Sequence, residues 1–156
     1  MHPYTIAPAS VEDVYAAGLI GLLDEDIRSR YPGEPVNGID AAQFRAAGGF
    51  FAAARIDGAT GASFIGCGAF RPIDATTVEV KRMFVHPAHR GRGVARAILA
   101  ALETEARRRG FTRAILETGN KQSEAIALYH ACGYARIEAF GQYVGDPKSV
   151  CFGKGL

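Results

Sequence analysis

One stretch of the chain leaves few folds open. Thr76 to Val85 alternates and is rich in β-branched residues, the pattern of a half-buried strand, and it runs through His86-Pro-Ala-His-Arg90-Gly-Arg-Gly93 into Val94 to Arg109. There the apolar positions change period. Ala95, Ile98, Leu99, Leu102 and Ala106 recur every three or four residues, the mark of a helix that buries one face. The i,i+4 pairs Glu103–Arg107 and Glu105–Arg109 are expected on its wet side, and Gly110 ends it. Arg113 to Glu117 is again of strand length. Strand, long helix and second strand form a crossover, which is right-handed and sets the two strands parallel. The chain is committed to a sheet with a parallel pair at its middle.

The flanking segments extend that sheet. Ser10-Val-Glu-Asp13 reads as a helix start with Ser10 as N-cap, and Val11, Tyr15, Leu19, Leu22 and Leu23 share a face. One helix is predicted to about Arg30, stopped by Tyr31-Pro-Gly-Glu-Pro35, with a short helix over Asp40 to Ala47. Phe50 to Ile56 and Ser63 to Phe70, joined through Asp57-Gly58, read as an antiparallel hairpin, and Tyr4 to Ala7 alternates weakly. Beyond the crossover, Ser123 to Cys132 is a helix with Ala125, Leu128, Tyr129 and Cys132 on one face and Gly133 as its stop. Arg136 to Phe140 and Ser149 to Phe152 are the last strands. The expected class is α/β (α+β): a mixed β-sheet, antiparallel in its N-terminal part with a central parallel pair, flanked by about four helices in a single domain over residues 1–156.

Composition excludes several functions. Eighteen Lys+Arg against sixteen Asp+Glu leave a net charge of +2, too balanced for a general nucleic-acid binder. Arg107-Arg108-Arg109 sits at a helix C-terminus, where cations offset the dipole. Three cysteines, Cys67, Cys132 and Cys151, are odd in number and form no CxxC, so free buried thiols in a reducing compartment, the cytoplasm, are expected. Met1 to Ser10 lacks the pattern of a leader, and no apolar run reaches the roughly 18 residues that span a bilayer, so no membrane is expected. His86 and His89 have no third ligand near in sequence, so no metal is expected.

The glycine turn carries the chemistry. Gly91 and Gly93 let backbone N–H groups converge, and the helix start that follows adds about half a positive charge, an arrangement suited to an anion. The turn lacks the Lys-Ser/Thr of a Walker A loop and the third glycine of a dinucleotide fingerprint. A phosphate-bearing ligand of another type fits better, although the same glycines also suit a tight turn with no ligand. Arg90-x-x-Gly93-x-Ala95 after a strand ending in Val85 resembles the acyl-CoA pyrophosphate loop of the GNAT N-acetyltransferase superfamily. Ala125-Ile-Ala-Leu-Tyr129-His-Ala-Cys-Gly133-Tyr134 resembles its second motif, and the two stand in the family's order and spacing over residues 76 to 134, over a third of the chain. Ser149-Val-Cys-Phe152-Gly-Lys154 and Glu117-Thr-Gly119 are similar to a bacterial branch of small single-domain members.

The resemblance implies that N–H groups from Arg90, Gly91, Arg92, Gly93, Val94 and Ala95 hold the CoA pyrophosphate, with Arg90 and Arg92 adding charge-assisted bonds. It implies a bulge at Met83, Phe84 and Val85 that splays the parallel pair, admits pantetheine and offers an N–H to the thioester carbonyl. Tyr129 matches the family's tyrosine that protonates the departing thiolate. Gln122 stands where an asparagine often contacts pantetheine. Glu79 matches the glutamate base of some relatives, Glu117 competes for that role, and ion pairs with Lys81 or Arg113 would make either one structural.

The resemblance places the acceptor between Arg28 to Pro35 and Gly141 to Pro147, a mixed set that includes Arg28, Arg30, Tyr31, Glu34, Tyr143 and Asp146. It implies an acetyl-CoA-dependent N-acetyltransferase acting on a primary amine of a small molecule or peptide by direct attack, and it allows a homodimer. A non-catalytic acyl-CoA-binding module and a nucleotide binder using the glycine turn are the alternatives.

Overall fold

The computed structural model describes residues 4–36, 38–59 and 61–156. Seven strands form one sheet: β1 (Thr5–Ala9), β2 (Phe50–Gly58), β3 (Gly61–Pro72), β4 (Thr77–Val85), β5 (Arg113–Gly119), β6 (Ala135–Ile137) and β7 (Ser149–Gly155). Their spatial order is β1-β2-β3-β4-β5-β7-β6, and every neighbouring pair is antiparallel except β4 and β5. Five α-helices accompany them: α1 (Val11–Ala16), α2 (Leu19–Arg30), α3 (Ala41–Ala46), α4 (Val94–Arg108) and α5 (Ser123–Ala131). Among the described residues no helix is long and apolar enough to cross a membrane.

The central strands are buried on both faces, which is why they read as nearly continuous apolar runs. Along β2, Ala52 and Ala54 join a core built with Ile98, Leu99, Leu102 and Tyr129 of α4 and α5. Phe51 and Ala53 join a second core with Val14, Leu19, Ile20 and Phe44 of α1, α2 and α3. Helices therefore cover both faces of the sheet, and α4, parallel crossover included, lies where its apolar stripe requires. Truncating Leu102, which is 1% exposed, removes a fully packed side chain, a change that costs about 2–5 kcal/mol.

Four expectations change. The helix predicted over 10–30 breaks at Gly18, whose φ of +78° is left-handed, so α1 and α2 are separate helices. Tyr15 and Leu22, assigned to the buried face, are exposed. The strand expected over 136–140 shortens to β6, because the chain leaves the sheet edge for a 3₁₀ turn at Gly141–Tyr143 that carries Tyr143 over the sheet. Glu103 is not on the wet side of α4: it is buried, accepting from Tyr134 at 3.2 Å and from Lys154 at 2.7 Å, with Arg107 at 3.6 Å. That ion network ties α4 to the last strand. The three cysteines are free, and two of them, Cys67 and Cys151, are buried.

Candidate active site

The parallel pairing of β4 and β5 runs from Thr77↔Arg113 to Val80↔Leu116 and then stops, although both strands continue. The cause lies in β4. Ladder partners with β3 shift between Cys67↔Phe84 and Ala69↔Lys81, so Arg82 and Met83 together oppose Gly68. Arg82 has φ +58°, a left-handed conformation that a bulge imposes and that its buried ion pair with Asp24 of α2 at 2.8 Å helps hold. Gly68 is needed opposite: a Cβ there would stand 2.4 Å from the Met83 sulfur and 2.8 Å from Ile98. The extra residue resets the alternation of β4. Glu79 precedes it on the α2 face, while Met83 beyond it packs with the α4 core and Phe84 with the α2 core. The bulge thus falls at Arg82 and Met83, one step earlier than the Met83, Phe84 and Val85 expected from sequence.

Two clefts meet in the resulting gap. The first, of about 440 Å³, is bordered by Met83, Phe84 and Val85 on one side and by Gln122 and, from α5, Ala125, Leu128 and Tyr129 on the other, and it ends at Gly91, Gly93, Val94, Ala95 and Arg96. Gly91 and Gly93 have φ of +76° and +78°, and α4 starts with no side chain capping it. Its first intrahelical bond runs from Ala97 to Gly93, which leaves the N–H groups of Val94, Ala95 and Arg96 without helical acceptors. This is an anion cradle made of backbone. Arg90 lines it but is partly committed, donating to the Val85 carbonyl at 3.0 Å with its guanidinium over the Phe84 ring. Arg92, expected to share the anion's charge, does not line the cleft; its carbonyl accepts from Tyr4 at 3.4 Å. Arg96 takes that place, one helical turn past the glycines, a spacing from which it could have been found.

The second cleft, about 210 Å³, lies on the α2 side and is lined by charged side chains. Glu79 is almost wholly buried, and its carboxylate accepts from Arg71 at 2.9 Å and from the Tyr143 hydroxyl at 3.2 Å, with the Lys81 ammonium at 3.7 Å. Glu117 is less encumbered: Ser149 donates to it at 2.9 Å, and burial, the largest influence, pushes its carboxyl above the usual carboxylate range. Tyr129 and Gln122 line both clefts. The Tyr129 ring is packed near Tyr134 and Phe152, its hydroxyl makes no hydrogen bond among the described residues, and burial raises its proton affinity so that it stays a phenol at neutral pH. The Gln122 carbonyl is spent on the N–H of Gly119 at 2.8 Å and the Thr118 hydroxyl at 3.2 Å, so its NH₂ group is what the clefts receive.

The expected acceptor residues divide. Tyr31 borders the second cleft, but its hydroxyl accepts from the Lys121 N–H at 2.7 Å and lies against Gly119, where a Cβ would come within 2.0 Å; it pins α2 to the β5–α5 turn. Tyr143 is on the cleft wall, bound to Glu79. Arg28 is exposed and lines neither cleft, because α2 turns it away from the side that carries Leu23, Ile27 and Tyr31. Lys81 was missed as a cleft residue. Its spacing of two from Glu79 on one strand puts both on one face.

A mixed sheet split beyond a bulge, with a backbone anion cradle in the split, is the architecture that the resemblance to the GNAT superfamily implies. The acetyltransferase (GNAT) family model matches residues 18–134, and the chain belongs to that family, which makes it an acyltransferase by class. The IAA acetyltransferase of Azospirillum brasilense is 37% identical over 153 residues, 97% of this chain and 97% of that protein. Among solved structures, a Klebsiella pneumoniae protein assigned as an acyl-CoA N-acyltransferase superposes with a TM-score of 0.81 at 33% identity, covering 100% of this chain and 99% of that one. A GNAT family acetyltransferase of Elizabethkingia anophelis, solved with acetyl-CoA bound, shares the fold at a TM-score of 0.70 and 16% identity, covering 100% of both chains.

Proposed function

We propose that the protein transfers the acetyl group of acetyl-CoA to a primary amine of a small molecule or peptide, in a ternary complex and without a covalent enzyme intermediate. The observation that carries this reading is the meeting of the two clefts at Tyr129 and Gln122, across the gap that opens after Val80↔Leu116. The presence of acetyl-CoA in the Elizabethkingia relative supports the choice of donor, and the cradle fits it: uncapped N–H groups at α4, two left-handed glycines and Arg96 suit a pyrophosphate. When bound, acetyl-CoA supplies a thioester whose carbonyl carbon bonds to the amine nitrogen as its C–S bond breaks, the amine losing a proton and the thiolate gaining one.

The chain's residues divide that work. The gap that opens after Val80↔Leu116, where the β4–β5 ladder ends, aligns the two substrates. Tyr129, a phenol held at the junction, donates the proton to the leaving sulfur. Glu117 is the better base. Its carboxyl is raised above the usual carboxylate range, chiefly by burial, and keeps accepting capacity, whereas Glu79 is saturated by Arg71, Tyr143 and Lys81 and acts to hold the latter two. The test is release of free CoA thiol on mixing the protein with acetyl-CoA and a panel of amines. Turnover with at least one amine is expected; saturable acetyl-CoA binding with no turnover on any would leave a binding module instead.

A further inference from the structure

Lys81 is a cation in an unusual position. Its side chain is 12% exposed, it lines the second cleft, and the contacts it makes are long: 3.4 Å to the Tyr143 hydroxyl and 3.7 Å to Glu79. A buried ammonium normally sits about 2.7–2.9 Å from a carboxylate. The acid beside it is already served at 2.9 Å by Arg71. Other cations lining the cleft are matched: Arg82 pairs with Asp24 at 2.8 Å and Lys148 with Glu34. Desolvation without a close partner is costly, and it shows as an ammonium that gives up its proton more readily than an ordinary lysine. Lys81 has three donors and lacks a short acceptor among the described residues.

Its place in the register says what would supply one. Val80↔Leu116 is the last parallel pair, so the next residues on the two strands, Lys81 and Glu117, flank the opening of the gap from opposite sides. Asp146 also lines this cleft. One side of the opening thus attracts a negative group and the other side an ammonium. We propose, resting on the acetyl-transfer reading above, that the acceptor is a small amine that also carries a carboxylate, an amino acid, and that Lys81 binds its carboxylate while its amine faces Glu117. A multiply charged anion such as a phosphate ester is disfavoured by Glu79, Glu117, Asp146 and Glu34 around the same cleft. The cleft volume of about 210 Å³ suits a molecule of this size.

The experiment measures CoA release with the common L-amino acids and with their carboxamides, which keep the amine and lose the negative charge. The wild type is expected to favour a free acid over its carboxamide, and Lys81→Met to lower kcat/KM for the acid by about ten- to a hundredfold more than for the carboxamide, so that the preference for the acid is lost. Lys81→Arg should restore part of the preference, and unchanged acetyl-CoA affinity in both variants shows that they are folded. Equal losses on acid and carboxamide, or a wild type that prefers amines without a carboxylate, overturns the proposal. Absence of turnover on every amine tried, of any class, overturns the acetyl-transfer reading itself and this proposal with it.

Discussion

The two clefts that meet at Tyr129 are built from different materials. The one ending at Gly91, Gly93 and the start of α4 offers main-chain N–H groups on an apolar wall, whereas the one floored by Glu79, Lys81 and Glu117 offers side chains drawn from β4, β5, β7 and the 3₁₀ turn at Tyr143. Backbone donors fixed by a turn and a helix cannot titrate and vary little with side-chain identity, so such a cleft suits a ligand that stays the same. A cleft made of ionisable side chains can be retuned by single substitutions, and it suits the partner that distinguishes one transferase from another.

The largest expected effect breaks the backbone half. Gly93→Glu places a carboxylate at the uncapped start of α4 and forces a side-chain-bearing residue into φ +78°. Space alone does not forbid it, since a Cβ at that position meets nothing nearer than the Tyr4 hydroxyl at 3.8 Å. Acetyl-CoA affinity measured by calorimetry should fall by about a hundredfold or more, the sum of charge repulsion and strain. Retained affinity would mean that the anion is held elsewhere.

Next in size are changes in the side-chain half. Glu117→Gln should lower kcat/KM by about 10²–10⁴-fold at neutral pH, with recovery at higher pH as free amine accumulates. Glu79→Gln should cost less and recover less, because it loosens Tyr143 and Lys81 rather than removing a proton acceptor. If the pH-dependent recovery belongs to Glu79→Gln, the two carboxylates exchange roles. Tyr129→Phe should lower kcat by about a hundredfold while acetyl-CoA affinity holds, since the hydroxyl makes no structural bond among the described residues and the ring packing is preserved. A loss confined to KM would remove it from proton transfer.

The same contrast governs what could be read before any coordinates. Glycines at 91 and 93, the change of period at Val94 and the strand at 113–117 are local signals, so the crossover, the parallel pair and the cradle were legible. The break at Gly18 was not, because a glycine inside an apolar repeat is tolerated in many helices and only tertiary packing decides. The bulge was displaced by one step for a related reason: alternation in Thr77–Val85 looks unbroken, and the partner that demands it, Gly68, lies on another strand. Arg28 and Lys81 exchanged importance in the second cleft because the direction of a side chain there depends on how α2 and β4 pack, which no spacing within either segment reports.

The smallest effect expected is on stability, and it tests whether the charged half is held at a cost. Glu117 binds its proton more tightly in the folded chain than in the unfolded one, since burial disfavours its anion. Its carboxyl therefore favours folding at pH values below the ordinary carboxylate range. That contribution is lost as pH rises through this range to the raised folded value, and above it the anion stays buried at a penalty. Glutamine keeps an acceptor for the Ser149 hydroxyl, now at 2.9 Å from the carboxylate, and has no charge to bury. Glu117→Gln should thus melt higher than the wild type at pH 7, by about 2–4 °C for a gain on the order of 1 kcal/mol, and the difference should shrink in acid. An inactive variant that gains stability only where the glutamate is ionised identifies the penalty as the cost of a proton acceptor. A variant that is less stable at every pH would instead make Glu117 a structural partner of Ser149, and would move the base to Glu79 or to water.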